Sequence, residues 1–463
     1  MLGSRRKDMF QKLLKFSTTR MIAFGFLCAI ALGTLLLMLP IASKSGESTS
    51  IVDAAFTATT SICVTGLTTV VTTTHWSLFG QVVILVLIQF GGLGVVTFTT
   101  TIFLILGKRI KLSDRLVIQD AYNIDTLSGI VRLTKRIMKA TFIVEGIGAF
   151  FFLFQFVPEY GIIKGIWYSI FHAISAFCNA GIDLIGGDSF VPYRDSVIIN
   201  ITTMFLIILG GLGFPVWWDV INLVKQAVKK EFKLRTFFRR LNLHSKIVIS
   251  ATLVLILVGT LLTLLLEYNN PETIGQLPFG NKLMASTFQS VTTRTAGFAT
   301  IPQQFFKQAT SFIFIIWMFI GGSPSGTAGG VKTATMALIL ISTVSIVKGK
   351  RHIEIFRRSI SEQYLRKGLT IVVVSMMVLV VMTVTLAAVQ NSDFLDTLFE
   401  TTSALATVGL TRNYTGTLTT VGKLLIMITM YLGRIGPITM MLAFNVKKQA
   451  GDKSLPEGRI LVG

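Results

Sequence analysis

The sequence predicts an all-α integral membrane protein built from four tandem repeats. Three observations carry this prediction: a very apolar composition, long apolar runs between basic segments, and two glycine motifs that recur together. Of the 463 residues, 52% are hydrophobic and 14% are charged, whereas soluble domains carry about 25% charged residues. The runs MIAFGFLCAIALGTLLLML and IVISATLVLILVGTLLTLLL reach the ~20 residues that a membrane-crossing helix needs. The first run is longer than a signal peptide and further spans follow it, so we expect no cleaved leader.

Basic residues set the expected orientation of the chain. The net charge is +21, and Lys and Arg cluster between the apolar runs, a pattern that marks the cytoplasmic side. Both termini are therefore expected to be cytoplasmic. Because this topology accounts for the excess charge, nucleic acid is not expected as a partner. The clusters are Arg5–Lys7, Lys108–Lys111, Arg132–Arg136, Lys229–Arg240, Lys348–Arg358 and Lys447–Lys448.

The sequence offers no support for an enzyme. Three cysteines and four histidines form no CxxC, HExxH or Cys/His pattern, so neither a disulfide framework nor a catalytic metal site is expected. A nucleophile elbow, a complete Walker A motif and a strand-GxGxxG-helix unit are also missing. We therefore expect neither catalytic residues nor a nucleotide site in this chain.

A hydroxyl-rich segment that ends near a single glycine recurs four times along the chain. It reads ATTSICVTG at Gly66, AISAFCNAG at Gly181, QSVTTRTAG at Gly297 and TSALATVGL at Gly409. The steps between these glycines are 115, 116 and 112 residues. A second glycine motif follows each one in register: QFGGLGVV, LGGLGFPV, FIGGSPSG and YLGRIGPI. Two independent motifs in register over four periods indicate four internal repeats.

Each repeat has the same expected layout: a span, a short amphipathic helix, the glycine turn and a second span. An apolar stretch of about 10–14 residues is too short to cross and is typical of a re-entrant helix. The expected first spans are 21–40, 138–157, 245–266 and 365–389. The expected short helices are 51–63, 166–178, 282–294 and 393–406. The expected second spans are 78–106, 196–224, 310–347 and 418–446.

The layout predicts eight transmembrane helices plus four re-entrant pore helices around one pseudo-fourfold pore. Non-helical backbone at membrane depth survives only where it is buried in protein or lines water, and four turns satisfy this by facing a shared axis. The repeats are placed at 1–115, 116–240, 241–355 (with a broken second span) and 356–450, followed by a C-terminal tail at 451–463.

The glycine turns are predicted to form a cation filter. Each short helix would point its C-terminal end, with about half a negative charge, at the shared axis. A ring of carbonyl oxygens there favours a cation that sheds water. Glycine permits the dihedral angle that turns carbonyls inward, and the Ser and Thr residues before it can hold the loop. The candidate filter residues are Val64, Thr65, Gly66, Asn179, Ala180, Gly181, Thr295, Ala296, Gly297, Thr407, Val408 and Gly409.

The four loops and the segment GGSPSGTAGGVKT resemble the potassium-translocating subunits of the Ktr/Trk/HKT superfamily, most closely the bacterial KtrB type. The resemblance covers essentially the whole chain. It implies four M1-P-M2 units around one pore, K⁺ as the transported ion and uptake that Na⁺ often stimulates. It also implies a cell-membrane homodimer that sits on a cytosolic, ring-forming, nucleotide-binding regulatory subunit.

Two features of the loops bear on selectivity. Each loop keeps one glycine, where tetrameric potassium channels carry TVGYG, so fewer fixed carbonyls define the ion sites and only moderate selectivity is expected. In the family that the chain resembles, glycine rather than serine at the first filter position accompanies potassium permeation. That position is Gly66 here.

The third repeat contains a glycine-rich interruption of its second span. Glycines, a proline and small hydroxyl residues cannot continue a stable helix. We interpret the segment as a mobile loop below the filter, and the resemblance likewise implies an intramembrane gate. A plain helix kink remains an alternative, and a phosphate-binding loop is disfavoured by the spacing. The candidate gate residues are Gly321, Gly322, Ser323, Pro324, Ser325, Gly326, Thr327, Gly329, Gly330 and Lys332, together with Arg434.

Three charged residues fall in or beside apolar segments. Arg434 lies inside MITMYLGRIGPITMML; an intramembrane charge costs at least about 2.5–3.5 kcal/mol and normally faces the interior with a partner. We expect it to face the pore, to pair with loop carbonyls and to repel cations. Arg294 is expected to brace the third filter turn. Glu145 is expected to pair with a neighbouring helix, without an assigned function.

Two other functions remain open at this point. A passive, weakly selective monovalent cation channel would share the filter but need neither sodium nor nucleotide. A membrane enzyme that holds an anionic lipid is disfavoured, because paired carboxylates and a nucleophile-base set are missing. Flux of K⁺ into liposomes, with and without Na⁺ and a partner, separates transporter from channel.

Overall fold

The computed structural model describes residues 18–94, 130–229, 236–350 and 352–436, and the regular secondary structure of this part is almost entirely helical. The basic clusters at 5–7, 108–111 and 447–448 and the predicted tail at 451–463 lie outside the described residues. The helices are α1 Thr18–Leu37, α2 Ile51–Cys63, α3 Thr72–His75, α4 Leu78–Leu93, α5 Ile130–Tyr160, α6 Ile162–Cys178, α7 Val197–Leu212, α8 Phe214–Val228, α9 Phe237–Arg240, α10 Leu243–Glu267, α11 Phe279–Thr292, α12 Gln308–Phe319, α13 Thr333–Val347, α14 Glu362–Gln390, α15 Phe394–Ala406 and α16 Thr420–Ile435.

The four predicted first spans are helices that are long and apolar enough to cross a membrane. They are Arg20–Leu37, Thr134–Tyr160, Leu243–Glu267 and Glu362–Gln390. Large apolar side chains on them are exposed; Leu257 is 67% exposed and Val384 62%. Such exposure suits a surface that faces lipid, because apolar side chains need no burial there. The chain is a multi-pass membrane protein.

The four predicted short helices are α2, α6, α11 and α15, and each ends just before a repeat glycine. Polar caps start two of them: Ser50 accepts the N–H of Asp53 through its hydroxyl, and Asp393 accepts that of Leu395. These bonds satisfy N–H groups that the first helical turn leaves without partners. Each of the four helices buries at least one phenylalanine almost fully: Phe56 in α2, Phe171 and Phe177 in α6, Phe288 in α11 and Phe399 in α15.

The continuous second span predicted at 196–224 is wrong. Helix α7 stops at Leu212, and α8 leaves it at an angle of 101°. The connecting Gly213 has φ +85°, and Pro215 lies in the first turn of α8. A positive φ ends a helix, and proline is tolerated only at the start of the next one.

The other second spans are also short within the described residues. Helices α4 and α16 reach Gly94 and Gly436, which have φ +83° and +91°, and residues 95–106 and 437–446 lie outside the described part. The third second span is interrupted between α12 and α13, as predicted. In the described part, four helices are long enough to cross, or five when the bent α7–α8 pair counts as one.

The second glycine motif lets the second-span helices approach the short helices closely. A methyl group added at Gly91 would lie 1.9 Å from the carbonyl oxygen of Ile62. The same substitution at Gly210 would meet the carbonyl of Phe177 at 2.0 Å. The fourth repeat repeats this contact between Gly433 and Leu405, again at 2.0 Å. In these three repeats the motif therefore sets the packing of the second span on the last turn of its short helix, whereas a methyl group at Gly321 of the third repeat would meet the carbonyl of Gly329 in the glycine-rich loop.

The all-α prediction needs one correction. Strands β1 Ile353–Ile355 and β2 Arg358–Ile360 form an antiparallel hairpin in which Ile353 pairs with Ile360. The two turn residues, Phe356 and Arg357, both have positive φ, as a tight hairpin turn requires. The ring of Phe356 packs 5.8 Å from that of Phe238 in α9. The hairpin thus joins the basic segment at 348–358 to the one that contains α9.

Replacing Gly210 with alanine tests the close helix contact. The added methyl would overlap a backbone carbonyl that cannot move alone, and such overpacking costs about 1–3 kcal/mol. We expect a lower melting temperature in detergent, measured by size-exclusion chromatography after heating. Gly146→Ala is the matched control, because a methyl there has no neighbour within 4 Å. Equal melting temperatures for the two variants would contradict the packing.

Candidate functional site

The four repeat glycines lie against one another in a closed ring, which we call the glycine ring (Gly66, Gly181, Gly297 and Gly409). Each has positive φ and faces the residue that precedes the next ring glycine. A methyl group added to any of them would lie 2.2–2.6 Å from that residue's carbonyl oxygen, so only glycine fits. The facing pairs are Gly66 with Ala180, Gly181 with Ala296, Gly297 with Val408, and Gly409 with Thr65.

A left-handed residue precedes each ring glycine by two positions. The φ angles are 56° at Val64, 60° at Asn179, 69° at Thr295 and 52° at Thr407, and all four residues are buried. This conformation is unfavourable for residues other than glycine, by about 1–2 kcal/mol each, and rarest for β-branched ones. The surrounding contacts must therefore hold each loop in place.

Hydroxyl groups of the short helices supply part of that support. The hydroxyl of Thr60 accepts the N–H of Gly66 at 3.0 Å, and that of Ser403 accepts the N–H of Gly409 at 3.0 Å. In the other two repeats the hydroxyl donates to a carbonyl beyond the ring glycine. These bonds are Ser175 to Ile182 and Thr292 to Phe298, both 2.6 Å.

Two hydroxyls beside the ring have no hydrogen-bond partner among the described residues. They belong to Thr65 and Thr407, and both are fully buried. A buried hydroxyl without a partner is costly unless water or an ion meets it. A methyl group added at Gly329 would lie 2.0 Å from the Thr407 hydroxyl oxygen. The glycine-rich loop of the third repeat therefore lies directly against the ring.

That loop, 321–332, is tied to the second repeat. The hydroxyl of Thr327 donates to the carbonyl of Phe177 at 3.0 Å, and its N–H to that of Gly210 at 3.0 Å. The N–H of Ser323 donates to the carbonyl of Gly211 at 2.9 Å. Phe177, Gly210 and Gly211 belong to the last turns of α6 and α7, where helical carbonyls lack partners. The loop therefore caps these helix ends.

Arg434 connects the loop to the first repeat. One guanidinium nitrogen donates to the carbonyl of Thr327 at 2.6 Å. The other donates to the carbonyl of Gly91 and lies 3.5 Å from that of Gly92. The expected pairing with loop carbonyls is present, and the same side chain also caps the end of α4. The described residues place no carboxylate in an ion pair with it.

Two further cations lie near the loop. The ammonium of Lys332 donates to the carbonyl of Ala328 at 2.8 Å. The buried Arg294 lies 3.3 Å from the hydroxyl of Thr333 and 3.4 Å from that of Thr252. It thus joins the third turn to the helices on either side, in keeping with the predicted bracing role. Because Lys332 and Arg434 both contact the loop, the region below the ring is positive.

Glu145 pairs with a neighbouring helix, as predicted. It is 4% exposed and accepts the side-chain amide of Gln89 in α4 at 3.0 Å. The thiol of Cys178, the last residue of α6, lies 3.7 Å from the amide oxygen of Gln89. This cluster joins α4, α5 and the last turn of α6, and it contains no ring glycine.

Comparison with known proteins identifies the family of the chain. Residues 10–454 match the family described as "TrkH: Cation transport protein". The chain belongs to this family. The membership confirms the resemblance noted from the sequence and makes this TrkH-family chain a transport protein rather than an enzyme.

Individual members of the TrkH family match over nearly the full length. The chain is 39% identical over 458 residues to "Ktr system potassium uptake protein B" of Bacillus subtilis, covering 99% of each chain. It is also 39% identical over 455 residues to "Potassium/sodium uptake protein NtpJ" of Enterococcus hirae, covering 97% of this chain and 98% of the relative. The solved potassium transporter TrkH from Vibrio parahaemolyticus has the same fold, with a TM-score of 0.71 at 17% identity over 91% of this chain and 85% of that one.

The structure brings the predicted ring and loop residues into contact, but it also has three features that the sequence did not predict. These are the left-handed residues before the ring glycines, the bend at Gly213, and the capping of helix ends by the loop. The motif LGGLGFPV carried a usable signal for the bend, because glycine followed by proline ends one helix and begins another. Val64, Thr295 and Thr407 carry no such signal, since valine and threonine disfavour the left-handed conformation, whereas Asn179 is of a type that adopts it more readily.

A single hydroxyl deletion tests the support of the ring. Thr60→Val keeps the shape of the side chain and leaves the N–H of Gly66 without its acceptor, which costs about 1–3 kcal/mol when the group is buried. We expect a lower melting temperature and weaker cation transport in liposomes. Thr59→Val is the control, because that buried hydroxyl only donates to the carbonyl of Ala55 in its own helix. Equal losses in both variants would remove the special role of Thr60.

Proposed function

We propose that the chain is the ion-translocating subunit of a potassium transporter and takes up K⁺ across the cell membrane. The closed glycine ring carries this proposal: four loops from one chain meet where short helices end, and only glycine fits each place. The relatives named as potassium uptake proteins match over nearly their full length, which supports K⁺ as the transported ion.

The proposed pore is a pseudo-fourfold arrangement of four M1-P-M2 units within one chain. The supporting contact is the order of the ring, since Gly66, Gly181, Gly297 and Gly409 face one another in sequence and the last returns to the first. Each chain then holds a complete pore, and a dimer holds two separate pores. The repeat limits 1–115, 116–240, 241–355 and 356–450 follow from this scheme.

The proposed filter uses carbonyl oxygens of the twelve candidate residues around the ring. Four short helices direct their C-terminal ends there, and the partial negative charge at each end favours a cation. Carbonyl oxygens then replace the water that K⁺ sheds. The unpartnered hydroxyls of Thr65 and Thr407 add two oxygen atoms that water or an ion can meet.

The proposed gate is the loop 321–332 with Arg434. Gly329 lies against Thr407, which is two residues before the ring glycine Gly409. The loop therefore occupies the path directly next to the filter. Arg434 holds the loop through Thr327 and adds a positive charge, as does Lys332. Both the loop backbone and these charges oppose cation passage in this conformation.

The proposed partners are a second copy of the chain and a cytosolic, ring-forming, nucleotide-binding subunit. The joined basic segments support a docking face, because the hairpin carrying Arg358 packs on α9 through Phe356 and Phe238. Activation by Na⁺ belongs to the same proposal. A passive, weakly selective channel is the competing function; K⁺ flux in liposomes that ignores Na⁺ and the regulatory subunit would favour it.

Gly66→Ser tests the filter. The new side chain would meet the carbonyl of Ala180 and sit at φ +101°, so the ring must deform. We expect about a tenfold loss of K⁺ over Na⁺ selectivity, which corresponds to about 1.4 kcal/mol, measured as uptake in cells that lack other potassium systems. Gly280→Ser is the control, because nothing lies within 4 Å of its added atom. Unchanged selectivity in Gly66→Ser would refute the filter.

Arg434→Ala tests the gate. The change removes a repelling charge and a hydrogen-bond clamp on the loop, so K⁺ flux through liposomes containing only this subunit should rise several-fold. Deleting residues 324–328 should act in the same direction, and the two changes should be non-additive if Arg434 works by holding the loop.

Arg358→Ala is the control for the loss of a positive charge alone, because Arg358 is an exposed residue of the hairpin. Wild-type flux in a folded Arg434→Ala variant and in the deletion would leave the loop as a helix interruption without a gating role.

A further inference from the structure

Two ionisable side chains occupy the same position in two of the short helices. His172 in α6 and Glu400 in α15 each lie nine residues before their ring glycine. The matching residues are Thr57 in α2 and Phe288 in α11. His172, Phe288 and Glu400 are fully buried, and Thr57 is 4% exposed. The ring order places the second and fourth loops opposite each other, so the ionisable pair marks one diagonal.

His172 holds the segment that leaves Gly181. Its Nδ1 lies 2.7 Å from the carbonyl oxygen of Tyr168, and the N–H of Leu184 donates to its Nε2 at 3.1 Å. A carbonyl only accepts and a backbone N–H only donates, so both contacts require a neutral ring with the proton on Nδ1. The rings of Phe156 and Phe190 pack 5.1 and 5.3 Å from the imidazole.

Glu400 holds the segment that leaves Gly409. One carboxylate oxygen accepts the hydroxyl of Thr415, six residues beyond the ring glycine. The other oxygen is buried and has no hydrogen-bond partner among the described residues. Arg412, three residues before Thr415, pairs with Asp396 at 2.6 Å. In the part of the chain that the structure describes, Glu400 has no ion-pair partner, and its carboxyl is held by Thr415 in the outer segment of its own loop.

The other two loops are held differently at this level. In the third repeat the polar contact comes from the next position of the helix, where the side-chain amide of Gln289 donates to that of Gln303 at 2.6 Å. Phe288 offers only packing there. The first repeat carries the small Thr57 at the matching place. Among the described residues, only in the second and fourth loops does the residue nine positions before the ring glycine make a polar contact with the segment that follows this glycine.

We propose that His172 and Glu400 are positioning residues that set how well the glycine ring discriminates K⁺ from Na⁺. Neither touches the ion; each fixes the outer segment of its loop, and with it the spacing of the ring carbonyls. The inference rests on the proposed function of the ring as a filter. Loss of either contact makes the ring carbonyls of that loop more mobile. Mobile carbonyls can approach the smaller ion, Na⁺, more closely, which favours it over K⁺.

The experiment compares variants that keep the packing with variants that restore the contact. His172→Phe uses the residue found at the matching place in α11, keeps the aromatic packing and leaves the N–H of Leu184 unpaired. His172→Gln returns an acceptor at similar reach. Glu400→Leu removes the acceptor for Thr415, and Glu400→Gln restores it. In liposomes we expect about a three- to tenfold lower K⁺/Na⁺ uptake ratio and a higher KM for K⁺ in His172→Phe and Glu400→Leu, the scale of one lost buried hydrogen bond.

Glu267→Gln is the matched control for burying an altered carboxyl. Glu267 is also fully buried, but it bonds Asn270, Thr273 and Thr310 away from the ring. A purely structural effect lowers maximal uptake without moving the K⁺/Na⁺ ratio, and that is the expected result for this control. Recovery of the ratio in His172→Gln and Glu400→Gln completes the expected pattern.

Thr415→Val removes the hydroxyl that donates to Glu400 and keeps the shape of the side chain. It therefore tests the same contact even if Glu400→Leu does not fold. An unchanged ratio in His172→Phe and in Thr415→Val, beside a shifted ratio in Gly66→Ser, overturns the inference and leaves the filter intact. An unchanged ratio in Gly66→Ser as well overturns the filter itself.

Discussion

Backbone groups at helix ends inside the membrane are the constraint on which this structure depends. Helices that stop at membrane depth leave carbonyls without partners, and water is available there only along a pathway. Each repeat contains such ends, at the last turn of its short helix and at the glycine motif of its second span. The loop and Arg434 supply donors to such carbonyls at the ends of α4, α6 and α7, so the features proposed as the gate also stabilise the fold in lipid.

The second glycine motif explains why one arginine can serve two repeats. Gly92, Gly211 and Gly322 occupy the place that Arg434 occupies in the fourth repeat. A methyl group added at Gly92 would lie 2.5 Å from the sulfur of Cys178, and one at Gly322 would lie 2.4 Å from the side chain of Ala328. In the fourth repeat the guanidinium instead reaches the carbonyls of Gly91 and Thr327. An arginine at membrane depth costs at least about 2.5–3.5 kcal/mol, a cost that charge-assisted bonds to carbonyls offset in part. The position of Arg434 therefore follows from the one repeat whose second glycine motif has arginine where the other three have glycine.

The sequence predicted the repeat frame well because hydropathy and glycine spacing are local signals. The first spans, the short helices and the interrupted third second span lie where the pattern indicated. It failed where tertiary contacts override local preference. Val64 and Thr407 adopt a left-handed backbone that their own side chains disfavour, held by a ring that only the folded chain creates. The hairpin at 353–360 was missed because three-residue strands in a basic segment give no clear period.

The capping role of the loop also bears on how a gate could open. Thr327 and Ser323 now satisfy the carbonyls of Phe177, Gly210 and Gly211. If the loop withdraws, these carbonyls lose their donors, at about 1–3 kcal/mol each unless water replaces them. Opening is therefore favourable only together with hydration of the space below the ring. If the loop is the proposed gate, the water that hydrates these freed carbonyls also fills the conducting path, and loop movement is then coupled to the entry of hydrated cations.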